Sequence, residues 1–157
     1  MLLYRIAERQ FADDLTGNGA RIGGGRWNPK GVAMIYTAES VALAALEVLV
    51  RISTRKHYYR AMYRAPDDAS VETVAVADLP PDWLQPYPNM PLIEYGRAWA
   101  QERRSLLLKV PSAVVNGEGW NFLINPLHPE FPEVSVADVA PFRYDMRLFA
   151  NMPRHQA

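Results

Sequence analysis

The chain has 157 residues, and 17 basic side chains balance 17 acidic ones, so bulk charge gives no argument for nucleic acid or an acidic membrane as partner. That length suits a single domain over residues 1–157, with a core that needs no covalent staples. There is no cysteine, which removes disulfides and thiol catalysis, and a chain of zero net charge tends to associate, so a homodimer is allowed.

The opening MLLYRIAERQ has no apolar core of the kind a signal peptide needs, and a cytoplasmic location is the expectation. Leu2 to Ile6 reads as a first strand. A polar, glycine-rich segment from Asp13 to Gly31 follows, long for a structureless loop, and such loops usually carry function. The apolar tract from Val32 to Val50 is long enough to span a bilayer. Glu39 and Glu47 interrupt it, however, and it changes halfway from β-branched to Ala/Leu-rich, so it is read as a strand over Val32 to Ala38 followed by a helix. Ser40 is the expected N-cap of that helix, which runs to about Arg51.

The alternation from His57 to Arg64 predicts a strand, and Val71 to Val76 another. PPDWLQPYPNMP cannot form one continuous helix and is expected to wrap the surface. Ile93 to Arg104 has helical spacing, with Trp99 on one side. Leu106 to Val110, Ala113 to Val115, Asn121 to Ile124 and Phe142 to Phe149 are read as further strands, and the terminal MPRHQA as loose. Many short strands, two clear helices and no regular strand–helix alternation predict an α+β fold with a mixed, mainly antiparallel sheet.

The stretch GGGRWNPKG, residues 23 to 31, asks for a physical reason. Three glycines in a row cost conformational entropy, so the backbone there must turn sharply or approach something closely. It is neither G-x-x-x-x-G-K-[ST] nor G-x-G-x-x-G. An ordinary hairpin satisfies the pattern, and so does a ligand loop whose Arg26 offers a planar fork to phosphate or carboxylate. Trp27 beside it is compatible with simple packing of a surface arginine.

Glu47 is the only formal charge between Val41 and Val50. An ionised carboxylate among apolar neighbours is costly unless paired or placed in a cavity, which suits a catalytic acid with water-excluding walls. Alternatively, Ser40, Ala44, Glu47 and Arg51 form a surface stripe in which Glu47 and Arg51 pair at i,i+4. Tyr36 is either a core aromatic or a ring that stacks on a heteroaromatic ligand.

Ser112 lies in VPSAVV, which is no nucleophile elbow, so it offers at most a hydroxyl to a ligand or a carboxylate. Asn121, Asn125 and His128, in NFLINPLHP, fit a side-chain-capped turn. The three histidines are scattered, and no metal site is expected. The run KHYYRAMYR mixes bases with aromatics as single-strand binders do, but without a basic balance it reads as an amphipathic strand.

Taken in order, GGRWNPKG, IYTAES, ALEVLV, VPSAVV and NFLINPLHP resemble the signature segments of RES-domain toxins, from the first strand to about Pro129. These are the toxin halves of toxin–antitoxin pairs with Xre-type antitoxins. The resemblance implies an ADP-ribosyltransferase-like split sheet with flanking helices and a cleft for NAD, which is substrate rather than prosthetic group. It assigns the family's arginine, tyrosine, glutamate and serine to Arg26, Tyr36, Glu47 and Ser112, and the asparagine of the N-P-x-H-P segment to Asn125. Trp27 and Asn28 join Arg26, Tyr36, Ser112 and Asn125 as expected dinucleotide contacts. Two departures stand out: an extra Gly23 before the usual pair, and Arg51 where histidine is often expected.

The implied chemistry is cleavage of the nicotinamide–ribose bond by hydrolysis or phosphorolysis, with growth inhibition relieved by an Xre-type partner. Two other readings compete. One is a protein ADP-ribosyltransferase using the same site, and the other a non-enzymatic nucleic-acid module resting on KHYYRAMYR.

Overall fold

The computed structural model describes residues 1–51, 57–86 and 88–149. In chain order these form β1 (Leu2–Glu8), α1 (Arg9–Ala12), α2 (Asn18–Gly23), β2 (Ile35–Ala38), α3 (Val41–Leu49), β3 (Tyr58–Arg64), β4 (Val71–Thr73), α4 (Met90–Glu102), β5 (Leu107–Pro111), β6 (Trp120–Ile124) and β7 (Ser135–Phe142). The strands make one seven-stranded sheet in the order β4-β5-β6-β2-β1-β3-β7. Only β4 and β5 pair in parallel; every other neighbour is antiparallel. The α+β, mixed-sheet expectation therefore holds.

The sheet is nearly split at its centre. β1 and β3 pair over seven residues, yet β1 meets β2 only at Tyr4 opposite Ala38. Beyond that pair the two strands part, and a cleft opens between them. This narrow junction fits the split-sheet expectation and places the cleft.

Both faces of the sheet are covered, as the period-two alternation of strands requires. Leu107 and Ile124 face a core with Leu3, Ile35 and Tyr63, whereas Leu108 and Leu123 face Trp27, Met34 and the α4 residues Leu92 and Trp99. Helix α3 covers a third cluster through Leu43 and Ala44, against Ile6 and Ala38. Ser40 caps α3 as predicted, its Oγ accepting from the Leu43 amide at 3.1 Å. Helix α4 starts earlier than expected because Asn89 caps it and Pro91 occupies its first turn, where a missing N–H costs nothing.

Several expectations are corrected. Ala113 to Val115 form a turn rather than a strand, closed by the Gly117 amide donating to the Ser112 carbonyl at 2.8 Å. The last strand lies at Ser135–Phe142, and Met146–Phe149 is a 3-10 turn, so the strand placed at Phe142 to Phe149 is displaced by several residues. Val71 to Val76 keeps only Val71–Thr73 as strand. The Asp13 to Gly31 segment contains helix α2, which glycine content had hidden. The MPRHQA terminus lies outside the described residues. Among the described residues no helix is long and apolar enough to cross a membrane.

Strand β3, from the run KHYYRAMYR, lies inside the sheet between β1 and β7. Ala61 and Tyr63 are fully buried, and Arg60 pairs with Asp138 at 2.6 Å. The Tyr63 hydroxyl donates to the Ala12 carbonyl at 2.8 Å, and burial pushes its pKa up to about 12. The amphipathic-strand reading describes this run, whose Tyr63 is spent on the core.

Candidate active site

The cleft at the β1–β2 junction holds about 260 Å³. β1 and β2 form its two lips, the glycine-rich loop and α2 close one side, and α3 closes another. Register places Tyr4, Ala38, Asn121 and Val110 opposite one another across the sheet, hence on one face, which α3 covers at Tyr4 and Ala38 and the α4 core at Val110. Arg5, the next residue along β1, enters the cleft from the opposite face.

Glu47 is turned into this cleft, not toward solvent. It lies one helical turn beyond the buried Leu43 and Ala44, so it shares their inward face. The surface-stripe reading is thereby overturned: the stripe containing Ala44 is the packed one, and the outer side of α3 exposes Leu46 and Val50 instead. Two donors converge on one carboxylate oxygen. Ser112 Oγ donates to Glu47 Oε1 at 2.7 Å, and Asn121 Nδ2 donates to the same atom at 2.5 Å. Oε2 carries neither of these bonds.

Ser112 is completely buried at the end of β5, its amide bonded to the Gly119 carbonyl at 2.8 Å. Its hydroxyl is committed to Glu47. Of the two roles open to it from sequence, orienting the carboxylate is the one the geometry supplies. Gly119 at the base of this turn is closely packed: a Cβ there would meet Leu43 Cδ2 at 3.2 Å and Glu39 Oε1 at 3.3 Å.

The glycine stretch now has its explanation. Gly24 has φ +73°, a conformation that side chains rarely adopt, and its neighbour Gly25 lies against Tyr36. A Cβ on Gly25 would sit 2.6 Å from Tyr36 Oη. Gly25 and Asn28 bridge across a tight turn, and Gly24 and Gly25 line the cleft with bare backbone. Gly23, the extra glycine, has nothing within 4 Å of where a Cβ would be.

Tyr36 lines the cleft with its hydroxyl anchored: it donates to Asn28 Oδ1 at 2.6 Å and accepts from the Trp27 amide at 3.1 Å. Asn28 in turn donates to the carbonyls of Ala20, Pro29 and Val32 at 2.9, 3.1 and 3.0 Å. Trp27 is buried in the α4 core, edge-on to Tyr95. Asn125 is fully buried, donating to the Ala100 carbonyl and accepting from the Leu127 amide, both at 3.0 Å. Trp27, Asn28 and Asn125 thus build the frame around the cleft and do not line it.

Arg26 also stands outside the lining. Its Nη1 donates to the carbonyls of Trp83 at 2.8 Å and Gln85 at 3.1 Å, tying the glycine turn to the proline-rich segment.

Arg5 is the residue that sequence reading missed. It lines the cleft, and its Nη1 is buried with no hydrogen-bond partner among the described residues. The available signal was an arginine inside an otherwise apolar strand, LLYRIA, where a desolvated guanidinium needs an anionic or carbonyl partner. Near it, Asp14 is partly desolvated. Hydrogen bonds from Thr16 and Asn18 and the Arg5 charge outweigh that burial and hold its carboxyl below the usual range. Among the described residues no cluster of three or more His, Cys, Asp or Glu is arranged to hold a metal ion.

Comparison with known proteins gives the family and the fold. A family model described as "RES domain" matches residues 2–146. The chain belongs to the RES domain family. It is 41% identical over 142 residues to a protein of Sphingobium sp. (strain YBL2) named "Prs ADP-ribosylating toxin", covering 87% of this chain and 88% of that one. It is 38% identical over 153 residues to "Toxin Res" of Yersinia enterocolitica, covering 94% and 99% respectively. A crystal structure of the MbcT–MbcA toxin–antitoxin complex of M. tuberculosis shares the fold, with TM-score 0.71 over 90% of this chain and 83% of that chain at 22% identity. The chain is thus a RES-domain protein whose relatives are toxins.

Proposed function

We propose that this RES-family toxin consumes NAD by breaking the bond between nicotinamide and ribose, with water or phosphate as acceptor. The observation that carries the reading is Glu47. It is an inward-facing carboxylate on an apolar helix, pinned through one oxygen by Ser112 and Asn121, in a cleft that also holds the Arg5 guanidinium.

The chemistry follows from charge. Departure of nicotinamide leaves positive charge on the anomeric carbon and the ring oxygen, and the leaving group needs no proton. What the protein must supply is a fixed negative charge beside that carbon, within walls of low dielectric. Glu47 supplies it. Ser112 holds Glu47 in place, and Tyr36, whose hydroxyl is already anchored, presents its ring to the nicotinamide. Arg5 takes the pyrophosphate, and Arg26 acts by holding the glycine turn that lets the dinucleotide lie close to backbone. An Xre-type antitoxin is the expected neutralising partner.

A second reading has its own support, the relative named "Prs ADP-ribosylating toxin". In that case the same site transfers ADP-ribose to a protein acceptor. One experiment separates the two: incubate the purified chain with NAD, with and without phosphate, and identify products by mass beside a Glu47→Gln control. Free ADP-ribose or its 1″-phosphate supports the first reading. Added ADP-ribose mass on a protein supports the second, and NAD left intact refutes both.

A further inference from the structure

We propose that Asn121 is a positioning residue for the Glu47 carboxylate, kept at that place at the expense of stability; the inference rests on Glu47 being the charge that acts on the substrate. Asn121 lies in β6, its backbone paired with Val110 of β5 and Ala38 of β2, so the sheet fixes its Cα on both sides. From there Nδ2 reaches Glu47 Oε1 at 2.5 Å. An ionised carboxylate only accepts hydrogen bonds, so the amide must turn its nitrogen toward Glu47 and its carbonyl away. The carbonyl then has nothing to bind: Asn121 Oδ1 is buried without a hydrogen-bond partner among the described residues.

An acceptor left in that state destabilises a fold, because water's hydrogen bonds to it are lost without replacement. A residue selected for packing would not retain it. A residue selected for the direction of a carboxylate would, because its other end has a task. Ser112 and Asn121 approach Oε1 from different elements, just past the end of β5 and the start of β6. Two donors on one oxygen fix both the rotation and the reach of the carboxylate, which a single bond leaves free to swing. The oxygen without these bonds, Oε2, is thereby set in a constant place.

The test uses the intact chain, nicotinamide release from NAD and thermal unfolding of each variant. Asn121→Ala should lower kcat about 10- to 100-fold with KM changed less than about threefold, and leave the unfolding midpoint equal or raised. Asn121→Asp, of the same size, gives the sharper readout. At neutral pH it sets two carboxylates face to face, and one of them takes up a proton as pH falls. That proton restores an O–H donor toward Glu47, so the ratio of Asp-variant to wild-type kcat should rise on acidification while the Ala-variant ratio stays flat. A flat ratio for Asn121→Asp, or wild-type kcat in Asn121→Ala, overturns the inference. If Glu47→Gln abolishes release while the Asn121 variants keep it, this proposal alone falls; if the wild-type chain releases no nicotinamide, the proposed function falls with it.

Discussion

Asn28 and Asn121 carry the same side chain, and both face the interior near the cleft, yet the structure treats them in opposite ways. Asn28 is saturated: three backbone carbonyls take its amide hydrogens, and the Tyr36 hydroxyl donates to its oxygen. Asn121 makes one bond, to Glu47, and leaves its oxygen without a partner among the described residues. The first satisfies a loop whose backbone would otherwise be buried and unpaired. The second orients a charge. The difference separates a frame residue with every polar atom met from one that keeps a buried atom unmet, and Arg5, whose Nη1 has no hydrogen-bond partner among the described residues, falls with Asn121.

That division can be broken by substitution. The largest effect belongs to Glu47→Gln, which keeps shape and removes charge. Turnover should fall about 100- to 1000-fold, roughly 2.7–4 kcal/mol, with substrate affinity measured by calorimetry nearly unchanged, because the charge matters chiefly in the transition state. Equal losses of both would place Glu47 among the frame residues.

Next comes Asn28→Ala, expected to cost about 2–3 kcal/mol in denaturant unfolding, since the carbonyls of Ala20 and Val32 lose their donor in a buried setting. Turnover per folded molecule should change far less than in the Glu47 variant. Arg5→Lys keeps the charge but loses the planar fork; KM for NAD should rise about tenfold, near 1.4 kcal/mol, without loss of stability. An unchanged KM would remove Arg5 from the ligand. The smallest change is Ser40→Ala, about 1 kcal/mol of stability from loss of the α3 cap, with kcat unaltered. A fall in kcat would show that helix fraying reaches Glu47.

Much of this architecture could be read in the sequence, and the failures have physical causes. β3 was legible from its alternation, β1, β5 and β6 from short apolar runs, and α3 because Ser40 marks its start. β7, SVADVAPF, escaped because an edge strand with one half-exposed face carries Asp138 and Pro141, residues that ordinarily argue against a strand. Glu47 and Ser112 were identified as candidates, and a hydroxyl that orients a carboxylate was one of two roles open to Ser112; the sequence did not decide between them, nor which way Glu47 faces. A helical wheel shows which residues share a stripe, not whether a sheet or solvent lies beyond it. Arg5 was passed over for a different reason: one arginine in a strand looks like half of an outward alternation until the neighbouring strand is found to part from it. Trp27, Asn28 and Asn125 stand beside the site because they build it, and residue type alone does not separate a builder from a contact.

The single pairing of Tyr4 with Ala38 has a mechanical consequence. Each half of the sheet closes its own ladder, so along the backbone the seam between them rests on that one pairing, with core side chains and α3 packed across it. On the proposed function, a dinucleotide held by Arg5 on one bank and flanked by Tyr36 on the other would add a further cross-link between the two strands. Occupied protein should therefore melt at higher temperature than empty protein, with the gain concentrated in amide exchange along those two strands.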